Sequence, residues 1–415
     1  MSLPLLKAIA ERVLCVALLP ALGFAIYASA RLSVADSNYR ANTDESVALA
    51  VRLDSGNAAY HQLNAEHLES AGRDPLPDRE AAALLSPLDS HYWVDLGVLA
   101  EVRNDFPAAE RYYLKAASVD RTFAPRFALM NFYFRRHDEA AFWRWAREAL
   151  PMVYDDPSTV FRLCWLMTND TDSIRRLLPK TLSLNNQYLE FLINDAHWDA
   201  APPVARDLAA RVEPGDMNVL LDYMGRGMTH DTASVVEVWN TLSQRGLQHY
   251  APLSPAEGAI VTNGDFRIPP VERGFDWRLQ RADGVSITQS ASPGSPGLDV
   301  ELTGEQPVEV TLFNEWVPVE PGRGYRIEYL YSGDPDDSAS SRQPSGLAWR
   351  ITHPLTGALI ARSPDLDAGA RDARGYFDFT SPAGVALLSL RYERAPGTVR
   401  RRTRFTIHKV SSRIP

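Results

Sequence analysis

Asp299 and Glu301 stand two residues apart in "LDVELT", a spacing that turns both carboxylates to one face of a β-strand. Paired acids are the machinery of glycoside hydrolysis, one protonating the leaving oxygen while the other attacks or activates water. The same spacing also decorates an ordinary solvated strand. Arg400 to Arg404, "RRRTR", is the strongest basic cluster. It suits contact with an anionic polysaccharide or lipid headgroup, and equally an edge strand kept from pairing by charge. The nine histidines are scattered, with no helical pair spaced for a metal beside acidic partners. Cys15 and Cys164 are the only cysteines, and Cys15 falls in an apolar stretch, so neither a disulfide framework nor a thiolate metal site is indicated. Phosphate-cradling glycine loops, zinc-protease helices and nucleophile elbows are absent. The chain therefore reads as a non-enzyme without a cofactor, with a carbohydrate-active hydrolase as the alternative.

What must position such residues is more than one domain. At 415 residues, 45% hydrophobic and 23% charged, the chain suits two or three globular units. A formal net charge of -9 argues against nucleic acid as a partner, because phosphate binding needs a basic footprint. Positive charge is nearly all arginine, with lysine only at 7, 115, 180 and 409.

Val13 to Ala30 carries no charge and is preceded by Lys7 and Arg12. Eighteen apolar residues are just enough to cross a bilayer as a helix. Ala28-Ser29-Ala30 also fits a small-x-small cleavage site, so a removed signal peptide is the competing expectation. Residues 1–30 are expected to be an anchor in the inner membrane with the bulk of the chain periplasmic. Residues 31–55 are expected to form a juxtamembrane linker and a leading half-repeat.

Residues 56–250 read as helical repeats. In "YWVDLGVLAEVRNDFPAAERYYLKAASVD", Trp93, Leu96, Gly97 and Ala100 fall on one helix and Ala109, Tyr113 and Ala116 on the next. Large side chains thus oppose small ones, and Asn104-Asp105 marks the turn, with Pro107 suited to the first turn of the second helix. Tyr60 lies 33 residues before Trp93 and Phe127 lies 34 after it. The spacing is that of a tetratricopeptide-like solenoid, which buries each unit against its neighbours and offers a curved surface to a protein partner. In that geometry His91, Val94, Val98, Glu101, Ala128, Phe132 and Arg135 face the groove. Weaker hairpins are expected over 157–180, 184–212 and 216–246.

From residue 255 onward the pattern changes to short alternating runs between Gly, Pro, Asp and Ser clusters. "GYRIEYLYSG" places Tyr325, Ile327, Tyr329 and Tyr331 on one face; "GLAWRITH" does so with Leu347, Trp349 and Ile351. "LLSLRYERAPG" aligns Leu388, Leu390 and Tyr392, and "VEVTLFNEWVPV" aligns Val310, Leu312 and Trp316. Nine or ten such strands predict an antiparallel sandwich of the jelly-roll kind. "VTNGDF" is expected as its first strand and turn, and "GFDWRL" as the next strand.

The runs "NGDF…GFDW", "GLAWRI" and "YFDFTSP" resemble β-sandwich modules related to carbohydrate-binding modules. The order of anchor, helical hairpins and sandwich resembles bacterial membrane-anchored proteins of exopolysaccharide or O-antigen gene neighbourhoods. That resemblance implies aromatic rings that stack on sugar, for which Trp277, Trp316, Trp349 and Tyr392 are the candidates. It implies a structural calcium near the domain start, for which Asp265 is the candidate. It also implies a scaffold or adaptor supporting assembly or export of a surface polysaccharide, binding protein through the helices and glycan or protein through the sandwich.

Overall fold

The computed structural model describes residues 3–168, 170–178, 181–290, 296–335, 344–398, 400 and 402–415. Arg401 of the basic cluster and residues 336–343 of the polar loop lie outside the described residues. The chain divides into two compact units, residues 1–178 and 179–415.

The first unit opens with α1 (Leu3–Ala41), a single helix of 39 residues, about 58 Å long at 1.5 Å per residue. Its stretch Leu18–Ala41 is long and apolar enough to cross a membrane or to serve as a signal sequence. Leu19, Leu22, Phe24 and Tyr27 on it are all more than half exposed. Residues 31–41, expected as linker, continue the same helix. The reason is local: Ala35 is fully buried and Tyr39 sits 4.9 Å from the Tyr60 ring, so the last turns pack on the helices that follow. The chain turns sharply at Asn42 and restarts as α2 (Asp44–Leu53), whose first turn is closed by a Thr43–Ser46 capping box.

Helices then come in antiparallel pairs: α3 (Ala58–Ser70) with α4 (Leu76–Leu85), α5 (Ser90–Val102) with α6 (Phe106–Val119), α7 (Phe123–Arg136) with α8 (Glu139–Ala149) and α9 (Ser158–Thr168) with α10 (Thr171–Leu177). In the α5–α6 pair Leu96, Gly97, Ala100, Ala109, Tyr113 and Ala116 are all buried. Gly97 is small because Tyr113 lies on it: a Cβ there would come within 2.5 Å of the phenol ring. Asp105 caps α6 through the Ala108 N–H at 3.1 Å, Pro107 occupies the first turn, and Asn104 takes φ 62°. Trp93 is a half-buried cover rather than a core knob, its indole N–H donating to the Pro87 carbonyl at 3.0 Å.

The second unit begins with α11 (Leu182–Asn194), α12 (Ala201–Ala209), α13 (Asn218–Gly227) and α14 (Thr232–Gln244) and continues into the β-sandwich. The strands are β1 (Arg278–Leu279), β2 (Val285–Gln289), β3 (Leu298–Thr303), β4 (Glu309–Pro318), β5 (Gly324–Pro335), β6 (Leu347–Thr352), β7 (Leu359–Arg362), β8 (Ala373–Thr380), β9 (Val385–Glu393) and β10 (Arg402–Arg413). They form two five-stranded antiparallel sheets, β1-β4-β9-β6-β7 and β2-β3-β10-β5-β8. Tyr325, Ile327, Tyr329, Tyr331, Leu347, Trp349, Ile351, Leu388, Leu390 and Tyr392 all line the shared core, as period-two alternation requires.

Two strand expectations are corrected. A bulge between Thr311 and Phe313 shifts the phase of β4, so Phe313 and Val317 point inward and Trp316 points outward. The segment from Val261 to Trp277 is not strand. Asn263 and Phe266 take positive φ, which breaks any ladder. It is tied to β10 instead by the Val410 N–H donating to the Gly264 carbonyl at 2.7 Å, an approach so close that a Cβ at Gly264 would overlap the Val410 oxygen.

Substituting Gly97→Ala should cost about 1–3 kcal/mol, the usual penalty for forcing atoms into a filled core. Denaturant melts read at the helical signal test this, with Tyr113→Leu and the double variant alongside. Strict additivity of the two substitutions would show that the Tyr113 ring is not the obstacle.

Candidate functional site

Two regions of the sandwich concentrate polar chemistry, one inside it and one outside. Inside, the turn-rich Val261–Trp277 segment has no ladder to satisfy its backbone, and side chains do that work. Glu315, fully buried on the inner face of β4, accepts from the Thr262 N–H at 2.7 Å, and the Thr262 hydroxyl lies 2.9 Å from the same oxygen. Asp276, also fully buried, accepts from Tyr250 Oη at 2.9 Å and from the Val271 N–H. Tyr250 stacks on Trp239 of α14 at 5.3 Å, and Trp239 meets Phe275 edge to face at 5.6 Å. The Arg278 guanidinium donates to the Gly274 carbonyl at 2.8 Å, and its charge interacts favourably with both acids. Burial pushes the Glu315 carboxyl well above the usual range and the Asp276 carboxyl upward, with the Thr262 and Val271 bonds opposing. Burial likewise lowers Arg278. This cluster fastens the segment and leaves no open face for a substrate.

The aromatic candidates divide. Trp277 and Trp349 are fully buried, 6.0 Å apart, and Phe313 meets them at 5.4 and 5.6 Å. Trp277 donates its indole N–H to the Thr262 carbonyl at 3.0 Å. Tyr392 is 2% exposed. With no ring face in solvent, these three are core residues and cannot stack on a sugar from outside. Trp316 is half-buried, its side chain on the outer face of β4 opposite Leu387. Asp265 is ion-paired with Arg267 at 3.1 Å, a neighbour that repels a cation. Among the described residues no group of three or more His, Cys, Asp or Glu converges.

Of the helical positions, His91 and Val98 are exposed and Val94 and Ala128 half-buried. Glu101 and Arg135 meet each other: the guanidinium of α7 donates twice to the α5 carboxylate, at 2.6 and 2.7 Å, and Tyr113 Oη adds a third bond at 2.9 Å. Burial alone would raise Glu101, but these bonds outweigh it and hold the carboxyl below its ordinary value. Phe132 is 3% exposed, wedged between Tyr113 and Tyr133 at 5.6 and 5.1 Å, so it belongs to the core and not to an accessible groove. Asp299 and Glu301 do share the outward face of β3, but each is engaged by β10, Asp299 by the Thr406 hydroxyl at 2.7 Å and Glu301 by Arg404 at 3.2 Å.

The open site lies on the outer face of β5, β8 and β10. Glu328 and Leu330 of β5 form its floor, Arg374 and Tyr376 of β8 one wall, and Lys409 and Ser411 of β10 the other, around a cleft of about 340 Å³. Pairing sets this layout: Glu328 is opposite both Tyr376 and Ser411, and Leu330 opposite both Arg374 and Lys409. A bulge between Ile407 and Lys409 turns the lysine outward. Tyr376 is 59% exposed. The Arg326 guanidinium lies 4.3 Å over its ring and is itself held by Asp378 through bonds of 2.7 and 2.8 Å. Sequence reasoning missed Tyr376, although "GYFDF" held a signal. Phe377 and Phe379 take the core phase, so the aromatic just before them, one step out of that phase, had to face out.

A two-sheet antiparallel sandwich preceded by paired helices thus presents one exposed aromatic in a polar cleft. Neither a family model nor a curated protein matches the chain. Solved structures do match the sandwich. A CBM4 module is 15% identical, covering 37% of this chain and 99% of that one, with a TM-score of 0.28. The CBM22-1–GH10 modules of Clostridium thermocellum xylanase 10B, complexed with xylohexaose, are 11% identical over 38% of this chain and 29% of that one, TM-score 0.26. The CBM22-1 xylan-binding domain of Paenibacillus barcinonensis Xyn10C is 12% identical over 36% and 91%, TM-score 0.25. The likeness is one of fold.

The internal cluster makes a pH prediction. An ordinary glutamate titrates near 4.5; a folded value raised above that gives stability fully present below the ordinary value and lost as pH rises through the folded one. Unfolding free energy should therefore fall as pH rises above the ordinary glutamate value of 4.5. Glu315→Gln, which keeps an oxygen for Thr262, should flatten that fall, leaving the smaller contribution of Asp276. Parallel pH profiles for the two proteins would show that Glu315 carries no raised titration.

Proposed function

We propose that this is a membrane-attached, extracytoplasmic adaptor whose sandwich binds a polysaccharide at the β5–β8–β10 cleft and whose helical pairs bind a protein partner. The observation that carries the glycan reading is Tyr376. An exposed ring, fixed from behind by Arg326 and rimmed by hydroxyl, carboxylate and ammonium groups, supplies both requirements of sugar recognition: a flat apolar face and convergent hydrogen-bonding groups. The cleft brings in a single carboxylate, Glu328, already paired with Arg413 at 2.8 Å, which favours binding over hydrolysis, since hydrolysis calls for two.

The protein-binding half rests on periodicity. The first helices of successive pairs begin at residues 58, 90 and 123, the stacking a tetratricopeptide-like solenoid uses to build a surface. His91, Val94, Val98 and Ala128 are its accessible positions. Service in assembly or export of a surface polysaccharide follows from joining a glycan reader to a protein-binding array at a membrane. Retention of α1 as the anchor, with the bulk periplasmic, is checked by fractionation: the full chain should stay in the membrane pellet at alkaline pH and be cleaved by protease added to spheroplasts.

The direct test of glycan binding is titration of the full chain in detergent with polysaccharide from the native host. Tyr376→Ala should weaken binding roughly tenfold, the value of one lost aromatic contact of about 1.4 kcal/mol, with an unchanged melting temperature. Binding that survives in a folded Tyr376→Ala variant would remove the cleft from the account.

A further inference from the structure

The cleft carries a charge pattern that a neutral sugar does not need. Carboxylates of the surrounding face are already neutralised: Asp378 by Arg326, Glu328 by Arg413 and Glu301 by Arg404. Arg374 and Lys409 are different. Both are exposed, both line the cleft, and among the described residues neither takes part in an ion pair. They are opposite the same residue, Leu330, from its two sides. Their backbones are thus two strand spacings apart, roughly 10 Å, a gap that two long side chains close over one substituent. Along β8, Arg374 precedes Tyr376 by two residues, roughly 7 Å. A sugar ring seated on Tyr376 therefore reaches both cations with a group carried at its edge.

The rest of the molecule sharpens the point. With a net charge of -9 the protein repels polyanions at long range, so any anion held here is held by local contacts. Long lysine and arginine side chains left unpaired around an apolar floor residue are costly to order unless a ligand completes them. Resting on the glycan-binding reading of this same cleft, we infer that its ligand is an acidic polysaccharide, with a carboxylated sugar residue stacked on Tyr376 and its carboxylate received by Arg374 and Lys409. The guanidinium suits a bidentate contact, the ammonium a point charge.

The test uses the full chain in detergent and a panel of polygalacturonate, alginate and hyaluronate, each beside its carboxyl-reduced form. At least one acidic polymer should bind, and its reduced form about tenfold more weakly or less. Arg374→Gln/Lys409→Gln should erase that difference, with roughly tenfold loss on the acidic polymer and little on the reduced one, as expected for charge-assisted bonds. Arg121→Gln, a surface change in the helical unit, should do nothing. Raising salt to about 0.5 M should weaken the acidic polymer alone. Equal binding of acidic and reduced polymers, or a double variant that keeps its preference, would overturn the acidic assignment while leaving glycan binding in place. A folded protein that binds no polymer of either kind overturns both. Undiminished binding of the acidic polymer by a folded Tyr376→Ala variant would overturn the stacking of the sugar on this ring.

Discussion

The buried contact between Glu315 and Thr262 governs how the second unit is built. From Val261 to Trp277 the chain bends through positive-φ residues and pairs with no strand, yet much of its backbone lies inside the protein. Such a path is affordable only where its amides find other partners. Glu315 reaches from β4 to one end of the segment, Asp276 binds its middle, and Tyr250 links Asp276 to the Trp239 stack on α14. The last helix and the sandwich are thereby joined through hydrogen bonds on one side of Tyr250 and ring stacking on the other. The desolvation of two carboxyls is opposed only in part by the bonds they accept, so both carboxyls stay raised.

That internal arrangement leaves the outer faces free for other work. Tryptophans that a glycan reader would be expected to show are instead consumed by the core, where Phe313 meets both Trp277 and Trp349 edge to face around the point at which the segment enters. The single well-exposed aromatic of the cleft is a tyrosine on an edge strand. Its orientation comes from an arginine fixed by an aspartate on the same strand pair. Rigidity of the platform is thus supplied by the sheet itself.

Much of this order was legible in the sequence. Helical pairs followed by nine or ten strands came from periodicity, and the inward faces of β5, β6 and β9 came from strict alternation. What alternation cannot reveal is a change of phase. The bulge between Thr311 and Phe313 sent Trp316 outward, and positive φ at Asn263 and Phe266 turned an expected strand into a turn-rich strap. Residue type misled in the same way. Tryptophan invites a stacking role, but burial decides it, and burial depends on partners far apart in sequence. Phe132 left the groove for that reason, while Glu101 and Arg135, 34 residues apart, are joined by a repeat-spaced ion pair. Tyr376 was readable from its neighbours, being the aromatic out of step with Phe377 and Phe379.

The bulge in β10 has a different kind of consequence. Ile407 pairs with Tyr331 and Lys409 with Leu330, so His408 is one residue more than the ladder requires. Ile407 and Val410 both point into the core. A strand lacking either His408 or Lys409 would alternate without interruption and seal the same core. The extra residue is therefore an insertion that folding does not demand. It gives the strand two outward side chains in succession, one occupied by the Ser332 hydroxyl at 2.8 Å and the other delivered to the cleft. A lineage that lost one residue here would keep a sound sandwich and forfeit one of those two side chains. The bulge is thus a place where ligand preference can drift by deletion while the fold stays the same.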